Sequence, residues 1–151
     1  MRTLELRRHA RRDPEADRLA PEGRRQAEEV GRTLKGGYAV VFVSPAQRAA
    51  ETAASFLRAL GERLPAHGVI PGLAGEGTDR SPLAMAGVVT ALLDAVPDGG
   101  RGLAVGHTPL IERAVFGISA REIAPLGECE GVLLSREDDE HPVRVEELRL
   151  L

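Results

Sequence analysis

Tryptophan is absent, tyrosine occurs once, and aromatic residues make up only 3% of the 151 residues. Single-stranded nucleic-acid binders stack bases on such rings, so that class of partner has almost no material here. The single cysteine, Cys129, excludes an intramolecular disulfide and any cysteine cluster for zinc or an iron–sulfur centre, and it fits a reducing cytoplasm. Long apolar runs are missing as well. The amino terminus, MRTLELRRHARR, carries charge where a signal peptide needs an unbroken apolar stretch, and no later run reaches membrane-spanning length. The expectation is a soluble, cytoplasmic protein with no membrane partner. A formal net charge of -3 excludes a global basic field of the kind that draws a protein onto nucleic acid, so any bound anion must be met by local charge. Lysine is nearly absent too: Lys35 stands alone beside nineteen arginines, a coding bias that says little about function.

What is present suits one globular unit over residues 1–151, because 42% hydrophobic content fills one core but not two. Thr3 to about Arg7 alternates like a strand, and Pro21 is a favoured first helical position whose helix buries Ala27, Val30 and Leu34. Gly36-Gly37 ends that helix. The apolar run Tyr38–Val43 predicts a strand covered on both faces. Ser44-Pro45 reads as an N-cap and first turn, opening a helix to Leu60. Val69-Ile70 is a possible short strand, Ser81-Pro82 opens a third helix, Gly102–Gly106 is another buried strand, and Thr108-Pro109 opens a last helix ending near Gly117. Val132–Leu134 and Val143–Glu146 flank a polar turn and predict a β-hairpin. Alternating strands and helices predict an α/β three-layer sandwich: a central, mostly parallel sheet, helices on both faces, and an antiparallel C-terminal hairpin.

Ligands of such folds bind beyond the carboxyl ends of the strands, where helix N-termini offer unpaired N–H groups. Three such turns carry chemistry here. The first strand delivers Arg8-His9, the second leads to Arg48, and a later one ends in Gly106-His107-Thr108-Pro109. Two guanidiniums match phosphate oxygens in shape and charge. Of two imidazoles, one can attack phosphorus while the other steadies the transferring oxygens. Taken singly, each residue has a plainer reading. The run Arg7, Arg8, Arg11, Arg12 suits a solvated basic patch, Arg48 a surface pair with Glu51 or Glu112, and His107 a structural role. His67 and His141 read as surface residues, and Cys129 as a small, partly buried side chain.

Leu6-Arg7-Arg8-His9-Ala10 resembles the Arg-His-Gly signature that opens the histidine phosphatase (phosphoglycerate mutase-like) superfamily. Leu19-Ala20-Pro21-Glu22-Gly23 resembles its Leu-Thr-Pro-Glu-Gly segment. Ser44–Ala53 resembles its Ser-Pro-x-x-Arg-Ala-x-x-Thr-Ala segment, and Val105-Gly106-His107 its second-histidine strand. Four ordered motifs are far more specific than one, and the length is most similar to the short SixA-type phosphohistidine phosphatases. The resemblance implies that His9 becomes phosphorylated, that Arg8 and Arg48 hold the phosphate and that His107 completes the pocket. It implies no metal or organic cofactor. Family members often carry a carboxylate acid before the third helix, where this chain offers Glu76 first and Asp79 second. Two departures stand out: Ala10 replaces the usual glycine, and Arg11-Arg12 replaces the commoner Glu or Gln.

The expected partner is therefore a phosphohistidine protein or a phosphorylated small molecule such as a sugar or nucleotide phosphate. A phospholigand-binding module that never turns over is the rival from another class. Nucleic-acid binding would rest on the Arg7–Arg12 run alone and is not expected.

Overall fold

Leu4 and Leu6 are fully buried on one face of the first strand, β1 (Arg2–Arg8), while Glu5 and Arg7 are buried on the other. A strand covered by helices on both sides has no solvent face, and alternation then selects between two interiors. The computed structural model describes residues 1–150. After β1 come α1 (Pro21–Gly31), β2 (Val40–Val43), α2 (Gln47–Leu60), β3 (Ala66–Val69), a 3₁₀ turn (Pro71–Ala74), α3 (Pro82–Ala95), β4 (Arg101–Gly106), α4 (Leu110–Ser119), β5 (Gly131–Arg136) and β6 (Arg144–Leu148). The sheet order is β3-β2-β4-β1-β5-β6. The first four strands in that order are parallel, and the β5–β6 hairpin joins β1 in antiparallel fashion. The α/β sandwich with a mixed sheet and terminal hairpin is the expected architecture.

Two cores sandwich this sheet. Leu4, Leu6, Phe42 and Ala104 meet α3 and α4 through Met85, Val89, Leu93, Ile111 and Val115. Val41, Leu103 and Val105 meet α1 and α2 through Ala27, Val30, Ala53, Phe56 and Leu57. No helix among the described residues is long and apolar enough to cross a membrane.

Several boundaries differ from the sequence reading, each for a physical reason. Helix α2 begins at Gln47, not Pro45, because Ser44 does not cap it. The cap comes from a distant loop: Asp17 accepts from the Gln47 N–H at 2.9 Å and the Arg48 N–H at 3.2 Å. Helix α1 stops at Gly31, before the glycine pair, and Leu34 is buried from the turn that follows. β3 pairs through Ala66–Val69, and Ile70 instead leads into the 3₁₀ turn.

Arg7 is not part of a solvated patch. Its Nε donates to Glu5 Oε2 at 2.5 Å, its Nη1 donates to the Cys129 carbonyl at 2.8 Å, and Tyr38 Oη donates to Glu5 Oε1 at 3.0 Å. Cys129 is fully buried rather than partly, and burial pushes its thiol up to about 12, far from a reactive thiolate. His67 and His141 lie exposed, as expected.

Candidate active site

The register of the parallel strands sets the site. Arg8 of β1 lies opposite Gly106 of β4, and Val43 of β2 lies opposite Val105. β1 and β4 therefore end level and β2 one residue earlier, so the residues that follow, His9, His107 and Ser44, emerge together at the same end of the sheet. The His9 and His107 rings are 5.2 Å apart between centroids, edge to face. Both are buried.

Their hydrogen bonds orient them. His9 Nδ1 lies 2.7 Å from the Ala10 carbonyl, an acceptor only, so Nδ1 carries the proton and Nε2 keeps a lone pair. Arg48 Nε donates to that Nε2 at 3.3 Å. His107 Nε2 bonds Ser44 Oγ at 2.7 Å, and Arg48 Nη2 approaches its Nδ1 at 3.5 Å. Arg48 thus bridges both imidazoles, and Asp17 holds it from behind through an Nη1–Oδ1 pair of 2.9 Å. The surface pair with Glu51 or Glu112 is not formed.

Arg8 reaches the same cavity. Its Nη1 donates to the Leu126 carbonyl at 2.9 Å, while its buried Nε has no partner. A buried donor left without an acceptor is costly. Ala10, in place of glycine, is fully buried, and its N–H donates to Thr52 Oγ1 at 3.0 Å. Its φ is not positive, so the backbone makes no demand that only glycine could meet.

Burial is the first cause of the pKa shifts. It lowers His9 from 6.5, with Arg48 and Arg8 adding to the effect against the Ala10 hydrogen bond. It lowers His107 to about 4, again with Arg48 adding to it. Both rings are therefore neutral near pH 7. Asp17 is also held low: desolvation acts upward, but the Gln47 and Arg48 donors outweigh it.

The cavity has a volume of about 750 Å³. Glu76 lies on its wall and is exposed, whereas Asp79 is not part of the lining and accepts from the Ser81 N–H at 2.9 Å. Glu128, which the sequence reading did not single out, also lines the cavity, as do Arg12, Arg80 and Arg113. Asp17 was missed as well, and no local pattern marks it: its partners lie some thirty residues away. Ser44 stood in a quoted motif, but its bond to His107 needs two strand ends brought together.

Asp17 yields a prediction. An N-cap is worth about 1 kcal/mol, so Asp17→Ala should lose roughly that in urea unfolding, and Asp17→Asn, which still caps, clearly less. Equal stability of all three proteins would show that the cap contributes nothing.

The family model of the histidine phosphatase superfamily (branch 1) matches residues 3–71, the stretch that contains Arg8, His9, Asp17 and Arg48. A comparison with curated proteins finds no match. Among solved structures, phosphoserine phosphatase from Entamoeba histolytica, in complex with 3-phosphoglyceric acid, superposes with a TM-score of 0.77 at 17% identity, covering 100% of this chain and 98% of that one. The protein histidine phosphatase SixA, complexed with tungstate, gives 0.75 at 21% identity over 97% and 96%. Phosphoglycerate mutase from Bacillus anthracis gives 0.77 at 16% identity over 97% and 92%. These likenesses extend the shared fold beyond the matched segment to the whole chain.

Proposed function

We infer that this chain is a phosphatase of the histidine phosphatase superfamily, passing a phosphoryl group first to His9 and then to water. The observation that carries the reading is the paired orientation of His9 and Arg48. The Ala10 carbonyl fixes the His9 proton on Nδ1, and the Nε2 lone pair faces the guanidinium that would grip the phosphate. Arg8, which lines the same cavity, would supply a second guanidinium, and His107 stands beside His9 on the same wall.

In the first step His9 Nε2 forms the N–P bond as the bond from phosphorus to the leaving group breaks, and Glu76 gives the leaving group a proton. In the second, water attacks phosphorus and returns a proton to Glu76, the N–P bond breaks, and phosphate departs. If the leaving atom is a phosphohistidine nitrogen that arrives protonated, Glu76 is less needed. Its exposed position on the wall suits either case.

The direct test is trapping. Incubation with a ³²P-labelled monoester and an alkaline quench should leave label on His9 that is stable to base and lost in acid. Phosphate binding without label or turnover would favour the binding-module reading instead.

The lowered histidine pKa sets a pH prediction. His9 must be neutral to attack, and its folded value lies below 6.5, so the acid limb of kcat/KM should fall below pH 6.5. Stability follows the same sign. Unfolded imidazoles take up protons that the folded ones refuse, so stability present above pH 6.5 is lost as pH drops towards the His107 value of about 4. A pH–rate profile with its acid midpoint above 6.5 would contradict the assignment.

A further inference from the structure

Glu112, an acid in the first turn of α4, has no part in the phosphatase reading and does not line the cavity. Its two carboxylate oxygens are unequally used. Oε1 is buried with no partner, while Oε2 accepts twice. One donor is the hydroxyl of Thr108, the residue after His107. The other is the Leu126 N–H at 3.3 Å, fourteen positions further along the chain. An acid that bonds a nearby hydroxyl is a common feature of a helix start. The second bond is not, because it leaves the helix for the loop between α4 and β5.

Leu126 is where that loop meets the site. Its side chain is buried in the core with α3 and α4, and its carbonyl accepts from Arg8 Nη1 at 2.9 Å. Both backbone groups of this one residue are thus held by side chains from the elements that frame the cavity, Glu112 on the N–H and Arg8 on the carbonyl. The residues beside it have other anchors: Arg149 donates to the Ala124 and Pro125 carbonyls, and the Gly127 N–H donates to Glu130 Oε1. None of those bonds involves Leu126 itself.

A guanidinium matches an oxyanion through a planar fork, so its grip depends on how that plane is held. The Leu126 carbonyl holds Arg8, and whatever holds the Leu126 backbone acts on the grip. We propose that Glu112 is a positioning residue that orients Arg8 through Leu126 and sets the turn carrying His107 through Thr108, joining the two sides of the phosphate pocket with one oxygen. The proposal rests on the phosphatase reading, in which Arg8 holds the phosphate, and adds to it a residue that touches no substrate. Stability accounts for Glu112 less well. A buried acceptor without a donor is costly, and an apolar side chain of similar size removes that cost along with the two bonds.

The test measures binding of inorganic phosphate to the full chain by titration calorimetry, with kcat and KM for p-nitrophenyl phosphate beside it. Glu112→Met keeps the volume and loses both acceptors; it should bind phosphate at least about fivefold more weakly and raise KM by a similar factor, with little change in the urea midpoint. Glu112→Gln, whose amide oxygen still accepts both bonds, should recover most of the affinity. Coupling supplies the readout that a merely structural role would not move. Arg8→Met and Glu112→Met should together lose less affinity than the product of their separate losses, because without Arg8 there is nothing left to orient. Glu112→Asp, too short to reach both donors, serves for the same comparison if the methionine variant does not fold. The proposal is overturned if Glu112→Met binds phosphate within about twofold of wild type, if glutamine restores nothing, or if the two losses multiply. Wild-type protein that binds phosphate and shows the coupling, yet neither turns over the ester nor forms a phosphoenzyme, would overturn the phosphatase reading and leave the positioning role standing. Wild-type protein that binds no phosphate overturns both.

Discussion

His9→Ala should fold normally and lose nearly all phosphatase activity, with kcat down by at least roughly 10³-fold and no phosphoenzyme on quenching. The His9 Nε2 lone pair is aimed at the guanidinium of Arg48, whereas His107, the other imidazole that Arg48 approaches, is tied to Ser44 Oγ through its Nε2. Cys129, the one other soft nucleophile, is fully buried with its thiol pushed up to about 12. Folding should survive because His9 adds two hydrogen bonds, to Ala10 and from Arg48, and no large apolar contact. Added imidazole should restore part of the rate by entering the space left behind. Retention of even a tenth of wild-type kcat would remove His9 from the mechanism.

The largest stability effect should come from a residue behind the site. Glu5→Leu leaves the Arg7 guanidinium buried with only the Cys129 carbonyl as partner, and strips Tyr38 Oη of its acceptor. Removing one member of a buried pair costs about 3–5 kcal/mol. The Tyr38 phenol is already pushed upward, by burial first and by the Glu5 charge second, so it cannot relieve the loss by ionising. Converting both residues, as Glu5→Leu with Arg7→Met, should recover much of the stability, because the desolvation of two charges disappears with their attraction. Urea unfolding of the two single variants and the double variant measures this. Additive losses would show that the pair is not coupled.

The same group links packing to the site. Glu5, Arg7 and His9 follow at alternate positions along the same chain, so they share a side of the sheet. Arg7 ties down the Cys129 carbonyl, while the Cys129 N–H donates to the His9 carbonyl at 3.4 Å. Cys129 itself sits at a positive φ of 65°, held between those two bonds. From sequence, Arg7 looked like one more member of a basic run, because nothing local says that a charged residue in an alternating strand will face a second interior.

Much of the site was legible because it lies where short-range signals are strongest. A strand followed by Arg8-His9, a Ser-Pro turn before Arg48, and a strand ending at His107 each carry their own local grammar, and parallel strands of one sheet must end on the same side. Glu76 was placed at the cavity by its loop, and Asp79 was separated from it only by the Ser81 turn it closes. The boundaries that moved, at the starts of α2 and β3, moved because a partner far along the chain completed them.

Periodicity and turn signals determined the α/β layering, the buried strands and the order of the helices, since these follow from neighbours within a few positions, and they set Arg8, His9, Arg48 and His107 at turns along one sheet edge, where the motif resemblance singled them out. Only the tertiary structure decided that Asp17 caps α2 and braces Arg48, that Ser44 Oγ meets His107, and that Arg7 is interior. The reason is the same in each case: a hydrogen bond or charge pair between residues tens of positions apart depends on strand register and helix placement, and neither is written in the local pattern of either partner.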